Sequence, residues 1–470
     1  MLFYCASVCL YGCTFLYRMC ERKDDEQKSV KGRDVYLAQP AHAYTEPQAG
    51  RYTWLKNLLS HKLFFFYLAF ALWMVYRILS VSLYDVYLFT FGEIPIRLGI
   101  FVLLALTEIR MQQNRKTIWA IAFLIFIFWI GRHTGSLILV DYVLLFFVGR
   151  HANFKKIALI AFVTTIFTLS FVVITSQFGV VIDYLWQRDP GMYVRHGLGF
   201  KYPIYPAQFF LSIVLLYMYL AREQAKYSVI ALLMLVNFGM YTLTDARTSF
   251  ILVTGALVVI LLFKFRVIIS AYTPFLQLLS AAFVWPIFAL ISYMMAAIYN
   301  PHVAWHKALN SALSNRLAQT KATLEEAGIP LFGQQLQIVG NGINSDGTSP
   351  KDAAGDYSTN YVDNSFMQIL IYNGWVFAVV MLALLFYVGY RSARNNMAYV
   401  SVILFFIAVR SLIDEQLLSL MFTPFLFLLT TFDTAIYEEK RQPYGKLQGN
   451  YYLNRYIHGP AGCVKKEETI

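Results

Sequence analysis

Long apolar runs recur along almost the whole chain and are separated by short polar or charged segments. About twenty consecutive apolar residues suffice to carry a helix across the hydrocarbon core of a bilayer. The pattern therefore predicts an all-α fold, a polytopic membrane bundle of about 12–13 transmembrane helices with two large outer loops. The predicted spans lie near residues 2–17, 63–83, 94–109, 117–131, 134–149, 157–177, 203–221, 227–243, 248–263, 267–299, 365–390, 397–413 and 417–436.

The first of these spans, 2–17, has its charges after the apolar run, beginning at Arg18. A secretory signal peptide carries its charges before the run, so a signal anchor or a misassigned start codon fits better. The predicted organisation has three parts. An N-terminal span with a polar cytoplasmic linker occupies residues 1–62, the transmembrane domain occupies 63–436, and a basic cytoplasmic tail occupies 437–470.

Composition favours the same class, because 58% of the residues are hydrophobic and only 14% are charged, against roughly 25% charged residues in soluble domains. Cytoplasmic loops of membrane proteins carry an excess of Lys and Arg. The two sets of alternate connections between the predicted spans hold 27 and 10 of these residues. This split predicts a cytoplasmic C-terminus in a multi-pass protein of the cell membrane, with the long loops 178–202 and 300–364 outside. Topology thus explains the net charge of +12, and nothing indicates nucleic acid as a partner.

No motif of a soluble enzyme or a cofactor site occurs in the sequence. There is no Walker A loop, dinucleotide-binding glycine motif, zinc-protease motif or serine-hydrolase elbow, and the five cysteines show no CxxC spacing. His302 and His306 have the i, i+4 spacing of zinc ligands, but no third ligand has matching spacing. We therefore predict neither a metal nor a cofactor.

The two long outer loops are where function is expected, because long connections in compact proteins often carry binding sites. The loop 178–202 is cationic and rich in aromatic residues and glycine. In the loop 300–364, apolar residues recur at every fourth position: Trp305, Leu309, Leu313 and Leu317. This spacing predicts an amphipathic helix that lies at the membrane surface.

Arginines occur at the predicted outer boundary of the spans, where the topology rule predicts few of them: Arg77, Arg97, Arg132, Arg247 and Arg410. A planar guanidinium forms bidentate, charge-assisted hydrogen bonds to phosphate. The arginines therefore indicate a lipid phosphate or pyrophosphate as ligand. The alternatives are that the side chains reach to lipid headgroups, or that they form ion pairs such as that of Arg410 with Asp414 or Glu415.

Three short motifs resemble those of a known family. They are RHGLGFKYP at 195–203, with matches at Arg195, Leu198, Gly199, Phe200 and Pro203, then Arg247 and Thr248 opening a later span, and DNSF at 363–366 followed by Gly374. Together they resemble the Wzy-type polysaccharide polymerases of capsule and exopolysaccharide synthesis, relatives of the O-antigen polymerases and ligases. The resemblance covers about residues 63–436. Tyr202 and Ile204 depart from the His and Asn of many relatives, so a His-based proton transfer is not carried over to that position.

The resemblance implies a polymerase at the outer face of the membrane. It would transfer the glycan of one polyprenyl-pyrophosphate-linked chain to a sugar hydroxyl of another lipid-linked repeat unit. The substrate-binding residues would be Arg188, Arg195, Lys201, Arg247 and Arg316, of which Arg188, Arg195 and Arg247 would bind the pyrophosphate. The proton of the attacking hydroxyl would go to His196 or Asp363, although Asp363 could instead cap the helix predicted to begin near Ser365. Membrane lipids, a flippase and a chain-length regulator are the implied partners.

Three other functions remain compatible with the sequence. A ligase of the same superfamily would attach a finished glycan to a different acceptor. A flippase or other transporter of lipid-linked oligosaccharide would show two pseudo-symmetric halves and broken helices at the bilayer midplane, and no internal repeat is detected in the sequence. A non-catalytic membrane scaffold would leave the outer arginines unexplained.

Overall fold

The computed structural model describes residues 62–441 apart from 112–115, 136, 188–192, 337–341, 344–347 and 349–360. This described part is mostly helical and contains one short antiparallel pair of strands, β1 (Leu185–Trp186) and β2 (Arg195–His196). The predicted first span, the linker up to residue 61, the basic tail after residue 441 and Arg188 lie outside the described residues.

The α-helices follow one another in the order α1 (Phe64–Ser80), α2 (Asp85–Phe91), α3 (Glu93–Ile109), α4 (Lys116–Thr134), α5 (Leu137–Gly149), α6 (Phe154–Gln177), α7 (Tyr205–Ala221), α8 (Tyr227–Thr244), α9 (Arg247–Lys264), α10 (Arg266–Ala271), α11 (Pro274–Leu278), α12 (Val284–Ile298), α13 (Ala304–Ala312), α14 (Arg316–Ala327), α15 (Ser365–Gln368), α16 (Trp375–Arg394), α17 (Ala398–Ser411) and α18 (Leu428–Arg441). Turns of π-helix join α11 to α12 and follow α15, at Leu279–Phe283 and Ile369–Asn373. Turns of 3₁₀-helix lie at Arg222–Gln224, Gln416–Leu418 and Pro424–Phe427.

Five helical stretches of the described part are long and apolar enough to cross a membrane: α6, α8, α9, the continuous stretch Pro274–Ile298 and α16. Shorter apolar helices lie at Phe64–Ser80, Ile138–Gly149 and Ala398–Ser411. Each predicted span from 63–83 to 248–263 coincides with one α-helix whose ends differ by three residues or fewer. The prediction of an all-α fold is therefore confirmed.

Two predicted spans are helical but broken: the stretch 267–299 at Tyr272–Thr273, between α10 and α11, and the stretch 365–390 at Gly374. In the stretch 267–299, the π turn at Leu279–Phe283 packs against α16. A Cβ atom on Gly389 of α16 would lie 1.9 Å from the carbonyl oxygen of Ala281, so only glycine permits this close approach. In the stretch 365–390, Gly374 has a φ of +86°, which ends the first helical segment before α16 begins.

The prediction of a helical span at 417–436 is wrong. After α17 the chain runs through turns and two 3₁₀ turns over residues 412–427, and α18 begins only at Leu428. Pro424 opens the second 3₁₀ turn, and proline has no N–H to continue an α-helical hydrogen-bond ladder. We refer to residues 412–427 as the irregular segment.

The irregular segment is apolar because it crosses the interior of the bundle. Phe422 stacks on Phe209 of α7, with ring centroids 4.2 Å apart. Further along, Phe425 contacts Phe154 at the first turn of α6, with centroids 5.8 Å apart. All four side chains are buried in the main hydrophobic core. Hydropathy alone therefore detected burial here, but it could not distinguish a helix from an irregular chain enclosed by protein.

The segments that connect the helices contact one another at two ends of the bundle. The length of α6, which has 24 residues, places these two ends about 36 Å apart. At the end where α6 stops, which we call the loop end, backbone hydrogen bonds join Leu83 to Gly199, Ile343 to Lys201 and Ser365 to Asp414. At the end where α6 begins, polar contacts join Arg150 to Glu108, Arg222 to Glu439 and Asn153 to Glu438. The predicted cytoplasmic segments that contain Arg150 and Arg222 therefore lie at the same end of the bundle, where α6 begins.

The single amphipathic helix predicted around Trp305 is two helices, α13 and α14. Ser314 and Asn315 separate them with φ values of +55° and +65°, a left-handed conformation that ends a right-handed helix. The side-chain oxygen of Asn310 accepts a hydrogen bond from the backbone N–H of Ala318 at 3.0 Å and so stabilises the break. The i, i+4 pattern did not reveal this turn because it continues in register on both sides.

Candidate functional site

A cleft with a volume of about 100 Å³ opens at the loop end. It lies between the first turns of α7 and α14, the residues just before α15 and the start of the irregular segment. The residues that line it are Tyr202, Ile204, Tyr205, Gln208, Arg316, Gly342, Tyr361, Asp363, Asp414 and Glu415.

A buried ion pair between Arg410 and Asp414 fixes the position of Asp414 in the cleft lining. Arg410, near the end of α17, is buried, and its Nε donates to Oδ2 of Asp414 at 3.2 Å. The side-chain amide of Gln208 donates to the same oxygen, while its own Oε1 is enclosed and has no hydrogen-bond partner in the described part of the chain. The backbone N–H of Glu415 donates to Oδ1 of Asp414 at 2.9 Å. The alternative that Arg410 forms an ion pair with Asp414 is therefore confirmed.

A second ion pair joins α14 to the chain before α15. Nε of Arg316 lies 3.1 Å from Oδ2 of Asp363, and Nη1 of Arg316 donates to the carbonyl of Ile413. The neighbouring Asn364 caps α15, since its side-chain oxygen accepts from the backbone N–H of Met367 at 3.0 Å. The alternative that Asp363 caps this helix is therefore wrong, and its carboxylate lines the cleft instead.

Glu415 differs from the other two carboxylates of the cleft. The side chain of the next residue donates to its Oε1 at 2.8 Å, and its Oε2 is enclosed with no hydrogen-bond partner among the residues that the structure describes. Burial raises the pKa of Glu415 well above the ordinary carboxyl range, and the negative charges of Asp363 and Asp414 raise it further. The hydroxyl of Tyr361 and the guanidinium of Arg316 oppose this rise only in part. Glu415 is thus a carboxyl that can hold or release a proton well above the usual range.

Tyrosines form other walls of the cleft. The ring of Tyr202 meets the rings of Trp186 and Tyr205 edge-on, with both centroid distances at 5.9 Å. Burial, and then the charge of Glu415, raises the pKa of Tyr361 well above its ordinary value, so its hydroxyl stays protonated. Aromatic faces, hydroxyl donors and carboxylate acceptors in one cleft suit a ligand rich in hydroxyl groups.

The motif at 195–203 lies at the loop end, where its polar side chains are engaged by other parts of the protein. Arg195 is buried, and its Nε donates to the last carbonyl of α8 at 2.7 Å. Nδ1 of His196 lies 2.6 Å from Oδ2 of Asp183, and Lys201 forms an ion pair with Asp85. None of Arg195, His196 and Lys201 lines the cleft, although Tyr202 in the same motif does.

The shape of this motif depends on a turn directly after β2. Leu198 and Gly199 have φ values of +51° and +81°, which turns the chain back toward the end of α1. The carboxylate of Asp183 accepts from the backbone N–H of Leu198 at 2.7 Å while it holds His196. Asp183 therefore fixes the turn that delivers Tyr202 to the cleft.

The other predicted residues are spread over the same end of the bundle. Arg247 opens α9 with 77% of its side chain exposed, and Asp245 lies 3.2 Å away. Among the arginines at the predicted boundary, Arg97 pairs with Asp141 at 2.7 Å and so has its own acidic partner. Of the predicted site residues that the structure describes, only Arg316 and Asp363 line the cleft.

Sequence reasoning missed the importance of Glu415 and Gln208. Glu415 was considered only as a partner for Arg410, because an acidic pair after a buried arginine is usually explained by an ion pair. Two adjacent carboxyls need not share one arginine, and here Asp414 alone bonds to it. The sequence signal that could have found Glu415 is that a second carboxyl follows Asp414 between two strongly apolar runs.

Comparisons of the chain with protein-family models, curated proteins and solved structures found no match.

Proposed function

We propose that the chain is a multi-pass membrane protein that joins polyprenyl-pyrophosphate-linked oligosaccharides into a polymer at the outer face of the cell membrane. The observation that carries the proposal is the cleft, where carboxylates, an arginine and tyrosines from distant parts of the sequence meet at the loop end. Five apolar stretches of membrane-spanning length support the location. The resemblance of the motifs at 195–203 and 363–366 to Wzy-type polymerases supports the reaction. In this arrangement the C-terminus is cytoplasmic.

The cleft suits the acceptor glycan better than a pyrophosphate. Asp363, Asp414 and Glu415 supply three carboxylates, against the two guanidiniums of Arg316 and Arg410. An excess of carboxylates repels a pyrophosphate, whereas carboxylates and tyrosines bind the hydroxyls and ring faces of a sugar. In our proposal the acceptor's terminal sugar therefore occupies the cleft.

The donor pyrophosphate requires a cationic position, and Arg247 offers one. Its guanidinium is exposed at the N-terminus of α9, where backbone N–H groups and the helix dipole also favour an anion. Arg195 is bonded to the end of α8, directly before α9. Arg195 and Tyr202 are seven residues apart in the sequence, so their Cα atoms lie at most about 25 Å apart. For the reaction, the anomeric carbon that carries the pyrophosphate must lie beside the acceptor hydroxyl in the cleft.

In the proposed reaction, the acceptor hydroxyl oxygen forms a bond to the anomeric carbon of the donor glycan. The bond between that carbon and the pyrophosphate oxygen breaks, and the polyprenyl pyrophosphate leaves with the bonding electrons. Fixed guanidiniums stabilise the charge that develops on the leaving group. The hydroxyl proton passes to a carboxylate or imidazole of the protein.

Transport of the same lipid-linked oligosaccharide is a second candidate. Broken helices are typical of transporters, and the breaks at Tyr272–Thr273 and Gly374 and the irregular segment interrupt the bundle in this way. The partly buried ion pair of Arg97 with Asp141 adds charged groups between helices, as transporters also have.

Deletion of the gene separates the candidates through the lipid-linked material that accumulates. If the chain is a polymerase, long polymer disappears, and single repeat units accumulate where a membrane-impermeant lectin reaches them on intact cells. If it is a transporter, the units are reached only after permeabilisation. If it is a ligase, long polymer stays on the lipid carrier. Polymer of unchanged length and amount in the deletion cells would overturn the proposal, and re-expression of the wild-type chain is the control.

A further inference from the structure

The three carboxylates of the cleft are bound very differently by the protein. Asp414 uses both oxygens, one for Arg410 and Gln208 and the other for a backbone N–H. Asp363 is held by the guanidinium of Arg316 at 3.1 Å. Glu415 accepts a hydrogen bond from the side chain of Gln416 at Oε1 and also hydrogen-bonds to the hydroxyl of Tyr361. Of the three, Glu415 is thus the carboxyl that forms no ion pair with a guanidinium of the described residues.

We infer that Glu415 is the proton acceptor for the sugar hydroxyl that attacks the donor glycan. This inference rests on the proposed glycosyl transfer and replaces the two earlier candidates for the base. As the new bond to the anomeric carbon forms, the hydroxyl proton moves to the carboxylate of Glu415, and the polyprenyl pyrophosphate departs with the electrons of the broken bond. Glu415 later returns the proton to water, which restores the carboxylate.

The geometry disfavours the alternatives for this role. His196 lies outside the cleft lining, and its Nδ1 is engaged by Asp183 at 2.6 Å. Asp363 lines the cleft, but its Oδ2 already pairs with Nε of Arg316 at 3.1 Å. A base works best when its pKa lies near the working pH, and the surroundings of Glu415 move its pKa in that direction.

The groups that face Glu415 fix the expected pH dependence. They are the carboxyls of Asp363 and Asp414, the guanidiniums of Arg316 and Arg410, and the hydroxyls of Tyr205, Tyr361 and Tyr372. Because the base must be ionised, activity should rise with pH through the raised pKa of Glu415. The Asp363→Asn change removes a negative neighbour and releases Arg316, so both effects lower that pKa. The acidic limb of the pH profile should therefore move to lower pH in Asp363→Asn.

The experiment uses the full chain, purified and reconstituted in liposomes, with lipid-linked oligosaccharide extracted from source cells that lack the gene. Elongation rates are measured from pH 5 to 9, a range of roughly two units on either side of neutrality, for the wild type, Glu415→Gln and Asp363→Asn. Glu326→Gln, which removes an exposed carboxylate of α14, is the matched control. We expect Glu415→Gln to lose about 10²–10⁴-fold in rate, the acidic limb of Asp363→Asn to shift downward, and Glu326→Gln to match the wild type.

The outcomes separate this inference from the proposed function. No elongation by the folded wild type would overturn the proposed function and the inference together. Elongation by the wild type and equally by Glu415→Gln would overturn the inference alone. If Glu415→Gln does not give folded protein, the pH profile of Asp363→Asn tests the inference. A downward shift of its acidic limb supports the role of Glu415, and an acidic limb that stays in place overturns it.

Discussion

Replacement of Asp414 by Ala should destabilise the protein more than any ordinary surface change. The side chain of Asp414 accepts hydrogen bonds from Arg410, Gln208 and the backbone N–H of Glu415. Only 4% of the Arg410 side chain is exposed, so this variant leaves a buried guanidinium without the carboxylate that is hydrogen-bonded to it. Removal of one member of a buried ion pair typically costs 3–5 kcal/mol, so we expect a loss of about 3–5 kcal/mol in the free energy of unfolding.

A double variant identifies the origin of this loss. If the cost comes from the unpaired guanidinium, Arg410→Met combined with Asp414→Ala should lose less stability than Asp414→Ala alone. The expected difference is about 0.5–3 kcal/mol, the usual range for residues in contact. Denaturant titration of the purified proteins in detergent micelles, followed by tryptophan fluorescence, measures these values. A loss of only about 0–1 kcal/mol for Asp414→Ala would match a solvated surface pair and would refute a buried anchor.

Three further predictions follow from the loop end and the helix packing. Arg247→Lys should lower polymer yield by about tenfold or more, because a point charge cannot replace a bidentate fork; normal polymer from Arg247→Ala would refute the role. Gly389→Ala should lower the free energy of unfolding by about 3 kcal/mol or more, since its Cβ would overlap a backbone carbonyl. The control Gly239→Ala, with open space around it, should raise the free energy of unfolding by up to about 1 kcal/mol. Equal unfolding transitions for the two variants would contradict the packing of Gly389. In a cysteine-free background, Tyr193→Cys should react with a membrane-impermeant maleimide on intact cells and Lys155→Cys only after permeabilisation; the reverse would invert the topology.

Sequence periodicity predicted most of the helices because long apolar runs and helices coincide wherever the chain has no reason to bend. It failed at the irregular segment, where the run around Phe422 is buried against α7 rather than exposed to lipid. It also failed to detect the break at Ser314 and Asn315, since their left-handed backbone leaves the pattern of apolar residues unchanged. Hydropathy reports the environment of a residue and not its backbone conformation.

The candidate site was predicted only in part, for a related reason. Arg316 and Asp363 were both named from the sequence, and they meet at 3.1 Å across 47 positions of chain. Their pairing could not be predicted, because no pattern in the sequence shows which loop residues come into contact when they lie far apart along the chain. Glu415 was judged as a partner of Arg410, and only the structure distinguishes it from Asp414, which takes that position.

The most direct test of the central claim is the length of the glycan that the purified wild-type chain makes without other proteins. The chain is reconstituted in liposomes with lipid-linked oligosaccharide of one repeat unit, and the lipid-linked products are separated by size. The account predicts a ladder that grows with time in steps of one repeat unit, together with release of polyprenyl pyrophosphate. Material that stays at one repeat unit, in the presence of correctly folded protein, would contradict it.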